Sequence, residues 1–289
     1  MTAGRVLVTG ASGGLASAIV RAFEDRDVVR LTRADLDVTD PAAVRDTVAR
    51  LAPAVIVNCA AYNDVDGAED APMAALAVNA FAVRSLARAA DACGAALVHY
   101  GTDFVFDGES DRPYAETDAP APRSTYAASK LLGEWFALDA ARGFVLRVES
   151  LFGTEPSFPG RRGSLDAIIS GLQEGREVRV FTDRVVSPSY IADIAAATRT
   201  LLDRAAPPGL YHCVNSGSAT WHEVAQEAAR QLGVTPRLKT MRMAEATLRA
   251  SRPRYCALDN RKLAAAGFPM PSWQDALQRW LTMNRYIHG

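Results

Sequence analysis

Short apolar runs alternate with longer polar-apolar segments through the first half of the chain. The runs occupy residues 5–9, 28–31, 54–58, 97–100 and 144–148, and they lack the strict alternation of a half-exposed strand. Continuous apolar runs of this length are typical of strands buried on both faces of a sheet. The pattern therefore predicts five buried strands before residue 150.

The segments between these runs predict helices. They cover residues 15–25, 41–51, 72–93 and 124–140, and they are rich in Ala, Leu and Arg. Asp40 before Pro41 is a typical helix start, with the carboxylate as N-cap and proline in the first turn. The repeated β-α order predicts an α/β fold, a doubly wound parallel sheet of the Rossmann type.

The second half of the chain is less regular. Residues 149–163 are rich in Gly, Pro and Arg, and helix-like and strand-like pieces then alternate to the end. A helix over 187–202 and a strand over 209–214 fit a return to the first sheet. We predict a dinucleotide-binding Rossmann domain over 1–149, with 185–214 returning to it, and a smaller interleaved C-terminal substrate-binding lobe over 150–184 and 215–289.

Composition narrows the functional classes. The 32 basic and 33 acidic residues nearly cancel, so no broad positive field favours a nucleic acid. Four widely spaced cysteines suit a reducing compartment, and we expect no apolar run of membrane-spanning length and no signal peptide before the first strand. We expect a cytoplasmic protein with no nucleic-acid or membrane partner.

A glycine-rich loop joins the first predicted strand to the first predicted helix. Gly10, Gly13 and Gly14 permit a tight turn and let backbone N–H groups approach a pyrophosphate, which a helix N-terminus attracts. A glycine-rich turn alone is weak evidence. Its position between an apolar strand and a helix is the context of a dinucleotide site, which we predict here.

The end of the second strand bears on the choice of cofactor. Leu31-Thr32-Arg33 lacks the acidic residue that would hold an unphosphorylated ribose 2′-OH, and Arg33 could face a 2′-phosphate. Alternatively, Arg33 is a solvent-exposed loop residue without a role in binding. The nearby Asp35 keeps this alternative open, because it supplies an acidic residue close to the strand end. We predict NADPH, with NADH as the alternative cofactor.

Tyr126 and Lys130 lie four residues apart and so on one face of a predicted helix. A tyrosine is a poor proton donor near neutral pH unless a fixed positive charge lowers its pKa, and Lys130 would supply that charge. Thr102 and Asp103 follow the fourth strand, at the sheet edge where open parallel sheets bind ligands. Strand-end capping by Thr102 and a turn carboxylate at Asp103 are the alternative interpretations.

Several motifs agree in order with one known family. They include the GxxGxxA loop ending at Ala16, Tyr100-Gly101-Thr102-Asp103, the Tyr126/Lys130 pair, and the segments 37–40, 57–62, 65–69, 209–212 and 252–254. Over nearly its whole length the chain resembles the dTDP-4-dehydrorhamnose reductase (RmlD-like) branch of the extended short-chain dehydrogenases/reductases.

The resemblance implies roles for individual residues. Thr102, Tyr126 and Lys130 would form the catalytic triad, and Thr102 and Asp103 would contact the substrate. The glycine loop and the end of the second strand already indicated some of the cofactor residues, and the resemblance adds the others. The full expected set is Gly10, Gly13, Gly14, Leu15, Arg33, Asp37, Val38, Ala60, Ala61, Tyr62, Tyr100, Tyr126 and Lys130. The implied reaction is NAD(P)H-dependent reduction of the C4 keto group of a nucleotide-linked 6-deoxysugar.

The chain departs from this family's pattern at three positions. Ser150 stands where the family has a substrate-packing Trp, and Gly101 replaces its usual Ser. Ala18 stands where some members have a Glu that binds magnesium at a dimer contact, so we predict no metal. Arg161, Arg162, Arg252 and Arg254 are candidates for the substrate diphosphate, outside the predicted site list.

Two other functions stay open. A nucleotide-sugar epimerase or dehydratase would share the fold, although Phe104 stands where dehydratases carry a Glu. A catalytically idle NADP-binding subunit, resembling the regulatory subunit of methionine adenosyltransferase, would share the motifs. The sequence leaves the oligomeric state open, a homodimer among the alternatives.

Overall fold

A six-stranded parallel sheet forms the centre of the molecule. We describe a computed structural model of the chain, covering residues 4–154, 163–284 and 286. Its strands are β1 Val6–Thr9, β2 Val28–Leu31, β3 Val55–Asn58, β4 Ala96–Thr102, β5 Gly143–Val148 and β10 Gly209–His212. Their order in the sheet is β10-β5-β4-β3-β1-β2, and each neighbouring pair is parallel. The predicted doubly wound parallel sheet is confirmed.

Helices flank this sheet on both faces. In chain order the first six are α1 Gly14–Ala22, α2 Pro41–Leu51, α3 Gly67–Asp70, α4 Pro72–Leu76, α5 Ala82–Cys93 and α6 Thr125–Leu138. A π-helical turn over Ala77–Phe81 joins α4 to α5, so residues 72–93 form one continuous helix, as predicted. Asp40 caps α2 by accepting hydrogen bonds from the backbone N–H groups of Ala42 and Ala43.

The remaining elements form a smaller lobe beside the carboxyl ends of the strands. It contains three two-stranded sheets: β6 Leu151–Phe152 with β9 Ser189–Tyr190, β7 Val178–Phe181 with β12 Leu238–Met241, and β8 Val185–Val186 with β11 Ala219–Thr220. The helices of the second half are α7 Ser164–Gln173, α8 Ile191–Asp203, α9 Trp221–Leu232, α10 Arg261–Ala265 and α11 Trp273–Met283. Among these, α8 packs on α1 and so belongs spatially to the central sheet.

The core has two main parts, one on each face of the sheet. Alternate residues of β1 show the division: Val6 and Val8 contact one cluster, and Leu7 contacts the other. Apolar side chains fill both parts, which explains why the strands are predominantly apolar along their length. The strands therefore hold their carboxyl ends rigidly at one edge, where the site lies.

The helix over residues 72–93 departs from one expectation. By length and composition it could cross a membrane, whereas we expected no such segment. Half of its most apolar window is buried inside the protein. This burial is typical of a core helix, because its apolar face packs on α2 and α6.

Candidate active site

A cleft of about 440 Å³ opens at the carboxyl ends of the central strands. Its walls come from the loop before α1, the ends of β3 and β4, the face of α6, and the smaller lobe at Ser164 and Asp166. Clefts at this edge of an open parallel sheet are where ligands bind in this fold class.

The glycine loop forms the floor of the cleft at the start of α1. Gly10 has φ +63°, and a Cβ there would lie 2.6 Å from the backbone nitrogen of Ala60. Only glycine combines this backbone angle with so close an approach to the next strand. Gly13 is the N-cap of α1 and supplies no side-chain cap, so the first turn of the helix can receive an anion.

Tyr126 and Lys130 meet in the cleft from one face of α6. Both side chains are buried, and Lys130 Nζ donates a 2.5 Å hydrogen bond to the backbone oxygen of Tyr100. Burial lowers the pKa of Lys130 to about 8, while the Glu134 carboxylate opposes that shift. Burial, followed by the charge of Asp103, raises the pKa of Tyr126. The phenol is thus protonated in the free protein, and burial raises its pKa where we expected the charge of Lys130 to lower it.

Thr102 and Asp103 complete the constellation at the end of β4. Thr102 Oγ1 donates to Asp103 Oδ1 at 3.1 Å and accepts from the backbone N–H of Phe104 at 3.3 Å. A hydrogen bond with Thr102 also works to lower the pKa of Tyr126. The four side chains that we predicted as catalytic or substrate-binding therefore line one cleft.

The predicted cofactor residues fall into two groups. One group lines the cleft: Gly13, Gly14, Leu15, Ala60, Ala61, Tyr100, Tyr126 and Lys130. The other lies outside its lining: Gly10, Arg33, Asp37, Val38 and Tyr62. Arg33 is exposed after β2, and its charge contributes to lowering the pKa of Asp37, after the hydrogen bonds that Thr39 donates. Arg33 and Asp37 thus form a polar edge beside the glycine loop.

Packing explains why a glycine occupies position 101. A Cβ at this position would overlap Glu134 Oε1, and Glu134 pairs with Arg147 at 2.8 Å. Both partners of this ion pair are nearly inaccessible to solvent. The glycine therefore makes room for a buried carboxylate behind Lys130.

Three functional candidates escaped the sequence reasoning. Glu149, Arg184 and Cys256 surround Asp103, and one ligand atom each of Asp103, Glu149 and Cys256 lies within 4.8 Å of the others. The sequence analysis included Glu149 only as a neighbour of Ser150, in the segment that differs from the family's pattern, and gave it no role. No sequence motif indicated Arg184 or Cys256 as site residues, because only the fold brings these distant positions to Asp103.

Ser150 lies in the cleft lining with φ +44°. The site of the family's Trp is therefore occupied by a small polar residue. Of the four arginines suggested for a diphosphate, Arg252 pairs with Asp66 at 2.7 Å, and Arg252 and Arg254 are not part of the cleft lining. Arg161 and Arg162 lie outside the described residues.

Comparisons with known proteins agree on one family. The family model described as "RmlD substrate binding domain" matches residues 4–285. A dTDP-4-dehydrorhamnose reductase of Streptomyces griseus is 39% identical over 284 residues, covering 94% of this chain and 91% of the relative. A dTDP-4-keto-6-deoxy-D-glucose reductase of Streptomyces niveus is 36% identical, covering 94% and 95%.

Solved structures agree with the sequence relatives. The dTDP-4-dehydrorhamnose reductase of Bacillus anthracis, solved in complex with NADP, is 32% identical with a TM-score of 0.90, covering 97% of this chain and 99% of that one. A UDP-glucose 4-epimerase of Thermus thermophilus, solved with NAD, has a TM-score of 0.81 at 23% identity, covering 97% and 99%. The second likeness shows the shared fold alone.

Proposed function

Because the chain belongs to the RmlD-like branch of the extended short-chain dehydrogenases/reductases, we propose that it reduces the C4 keto group of a nucleotide-linked 6-deoxysugar, using NADPH. The observation that carries this proposal is the meeting of Thr102, Tyr126 and Lys130 in one cleft with the glycine loop. The names of the relatives, dTDP-4-dehydrorhamnose reductase and dTDP-4-keto-6-deoxy-D-glucose reductase, support the substrate class.

The residues present fit a nicotinamide dinucleotide. Gly10 and Gly13 leave the start of α1 free of side chains, and the cleft continues from this loop to Tyr126 and Lys130. We propose that the glycine loop holds the pyrophosphate, that Lys130 holds the nicotinamide ribose, and that the remaining predicted cofactor residues line the dinucleotide. When bound, NADPH supplies the hydride for the carbonyl carbon.

The protein's own groups manage the charge that develops on the substrate oxygen. Tyr126 donates its proton to the forming alkoxide, and Thr102 donates a hydrogen bond to the same oxygen. The positive charge of Lys130, one helical turn from Tyr126, stabilises the tyrosinate that remains. Asp103, at the end of β4, contacts the sugar.

The choice of NADPH over NADH rests on Arg33. Its guanidinium is exposed beside Asp37, at the strand end where the adenosine ribose is expected. The relative from Bacillus anthracis was solved with NADP, which supports this preference. An Arg33→Ala variant should lose affinity for NADPH, measured by fluorescence titration, and keep its affinity for NADH. Equal losses for both cofactors would contradict the role of Arg33.

We further propose that the reaction needs no metal ion. The buried group of Asp103, Glu149 and Cys256 could supply ligands, but the Arg184 guanidinium already provides a positive charge beside it. A second cation there would be repelled. Turnover should therefore be unchanged after treatment with a chelator, and loss of activity restored by a divalent cation would argue against this proposal.

The two lobes correspond to two proposed binding functions. We propose that residues 1–149 and 185–214 bind the cofactor, and that residues 150–184 and 215–289 bind the nucleotide-sugar, with no nucleic acid or membrane as a partner. A cytoplasmic location fits the free thiols at Cys59, Cys93, Cys213 and Cys256. Fractionation of cells would test the location, with recovery in the membrane or secreted fraction as the contrary result.

The exposed apolar residues of the long helices support a homodimer. Met73, Phe81, Trp135 and Leu138 are all more than a third exposed, and they lie on the adjoining helices formed by residues 72–93 and α6. Phe81 also contacts Phe136 of α6, with ring centroids 6.4 Å apart. Exposed apolar groups on adjoining elements favour a protein interface, and we propose a second copy of this chain as the partner.

The direct test is oxidation of NADPH with a dTDP-4-keto-6-deoxyhexose. The wild type should turn over rapidly, and Tyr126→Phe should lose at least about a hundredfold in kcat because the proton donor is gone. An idle regulatory subunit would bind NADPH without oxidising it. A dehydratase is disfavoured because Phe104 packs edge-on against Tyr126, with centroids 5.6 Å apart, and offers no acid or base.

A further inference from the structure

A pair of buried carboxyl groups lies next to the proposed proton donor. Asp103 follows β4 and Glu149 follows β5, so parallel strands place both at the same sheet edge. The two residues are 3% and 2% exposed and both contribute to the cleft lining. A carboxylate oxygen of each lies within 4.8 Å of the other. The ketoreductase mechanism above assigns no task to Glu149.

The hydrogen bonds of the pair are incomplete. Asp103 Oδ1 accepts from Thr102, and Glu149 Oε2 accepts from the backbone N–H of Ser187 at 2.7 Å. Among the described residues, Asp103 Oδ2 and Glu149 Oε1 are buried and have no partner at ordinary hydrogen-bond distance, while the Cys256 thiol and the Ser150 hydroxyl act to lower the pKa of Asp103 and of Glu149 respectively. Two buried carboxylates this close to each other repel, and a single proton held by the pair removes one of the two negative charges.

The charges around the pair favour retention of a proton. Burial, followed by the charge of Asp103, raises the pKa of Glu149 well above its usual range. Burial also raises the pKa of Asp103, against the opposing positive charge of Arg184. Within the part of the chain that the structure describes, the other titratable groups that interact with the pair are Tyr126, Tyr255 and Cys256. Arg184 is thus the one cation among these groups, and it can balance one negative charge of the two carboxyl groups.

We propose that Asp103 and Glu149 share one proton at neutral pH, and that Glu149 is thereby a positioning residue for proton transfer from Tyr126. Sharing moves part of the negative charge from Asp103 to Glu149, where the N–H of Ser187 and Arg184 stabilise it. Tyr126 becomes negatively charged when it donates its proton, so less charge on Asp103 favours that step. Less charge on Asp103 also weakens its hold on the Thr102 hydroxyl, which can then turn to the substrate oxygen.

The shared proton can be tested without substrate or cofactor. Infrared spectra at neutral pH should show the carbonyl band of a protonated carboxyl group in the wild type, absent from both Glu149→Gln and Asp103→Asn. Each variant removes one partner, so either one alone tests the pair if the other does not fold. Glu109→Gln, an exposed control, should keep the band. Absence of the band from the wild type, or its persistence in either variant, would overturn the proposal.

The positioning role rests on the proposed reductase function and has its own test. In Glu149→Gln, Asp103 should ionise at neutral pH, and its full negative charge should raise the pKa of Tyr126. A rise of about one pKa unit makes proton donation about tenfold less favourable, so kcat should fall about tenfold. The variant should regain activity as the pH falls and Asp103 takes up a proton, while its KM for NADPH stays unchanged.

A purely structural role would predict a loss that does not depend on pH, and that result would overturn the positioning role. If the wild type reduces no keto-sugar, the reductase function fails while the infrared result still decides the shared proton.

Discussion

At the scale of single residues, the charge of Lys130 has the clearest functional consequence. Its pKa of about 8 means that the ammonium is present below pH 8 and is lost as the pH rises. Because we propose that this charge stabilises the tyrosinate, kcat/KM for NADPH, which reports the free enzyme, should fall above about pH 8. In Lys130→Arg the guanidinium stays charged, so any residual activity should lack this decline. The same decline in both proteins would contradict the role of Lys130.

Gly10 offers a second test at this scale, with Gly94 as a matched control. Both have positive φ, +63° and +71°, but a Cβ at Gly94 would meet nothing within 4 Å. Gly94→Ala should therefore cost only about 1 kcal/mol of backbone strain. Gly10→Ala adds a clash with Ala60 and should be several-fold more destabilising.

The two glycine variants should also differ in cofactor binding. Gly10→Ala should weaken binding of NADPH by at least about tenfold, because the pyrophosphate loop must shift, whereas Gly94→Ala should leave it unchanged. Urea unfolding and fluorescence titration measure the two effects. Similar behaviour of the two variants would show that the close approach at Gly10 does not matter.

At the scale of elements, the ion pair between Glu134 and Arg147 joins α6 to β5 of the central sheet. Removing one partner of a buried pair leaves the other charge uncompensated, so Glu134→Gln should cost about 3–5 kcal/mol. Glu227→Gln breaks the pair with the exposed Arg230 on α9 and should cost less than about 1 kcal/mol. Equal losses of unfolding free energy for the two variants, measured by denaturant unfolding, would show that the buried ion pair contributes no more to stability than the exposed one.

Element patterns explain how much of the fold the sequence could predict. Predominantly apolar runs correctly indicated β1 to β5, because a parallel sheet covered on both faces buries most positions of its strands. The short strands β6, β8, β9 and β11 have two residues each and were not predicted. Two residues are too few to establish a period, and tertiary contacts alone define them.

The candidate site was predictable to the extent that its residues follow one another along the chain. Helical spacing placed Tyr126 and Lys130 on one face and the strand end placed Thr102 at the sheet edge, while the catalytic roles of all three were implied by the family resemblance. The surroundings of Asp103 were not, since Arg184 and Cys256 come from the other lobe. No local pattern reports contacts between such distant positions.

At the scale of the whole molecule, the apolar face of the long helices predicts the assembly. Trp135 is 57% exposed on α6, and replacing it with Glu would place a charge in the proposed interface. Trp135→Glu should therefore shift a dimer to a monomer in light-scattering measurements. Lys239→Glu, on the exposed part of β12, is the control and should not change the mass. A wild type that is already monomeric would argue against this interface.

The position of β10 also governs the order in which the molecule can be completed during synthesis. This strand pairs with β5, so the edge of β5 stays open until residues beyond 212 leave the ribosome. An open edge of a hydrophobic strand invites pairing with other chains. A nascent chain that ends after β5 would thus be prone to aggregate. The six-stranded sheet is therefore complete only after β10, which ends at His212, has been translated.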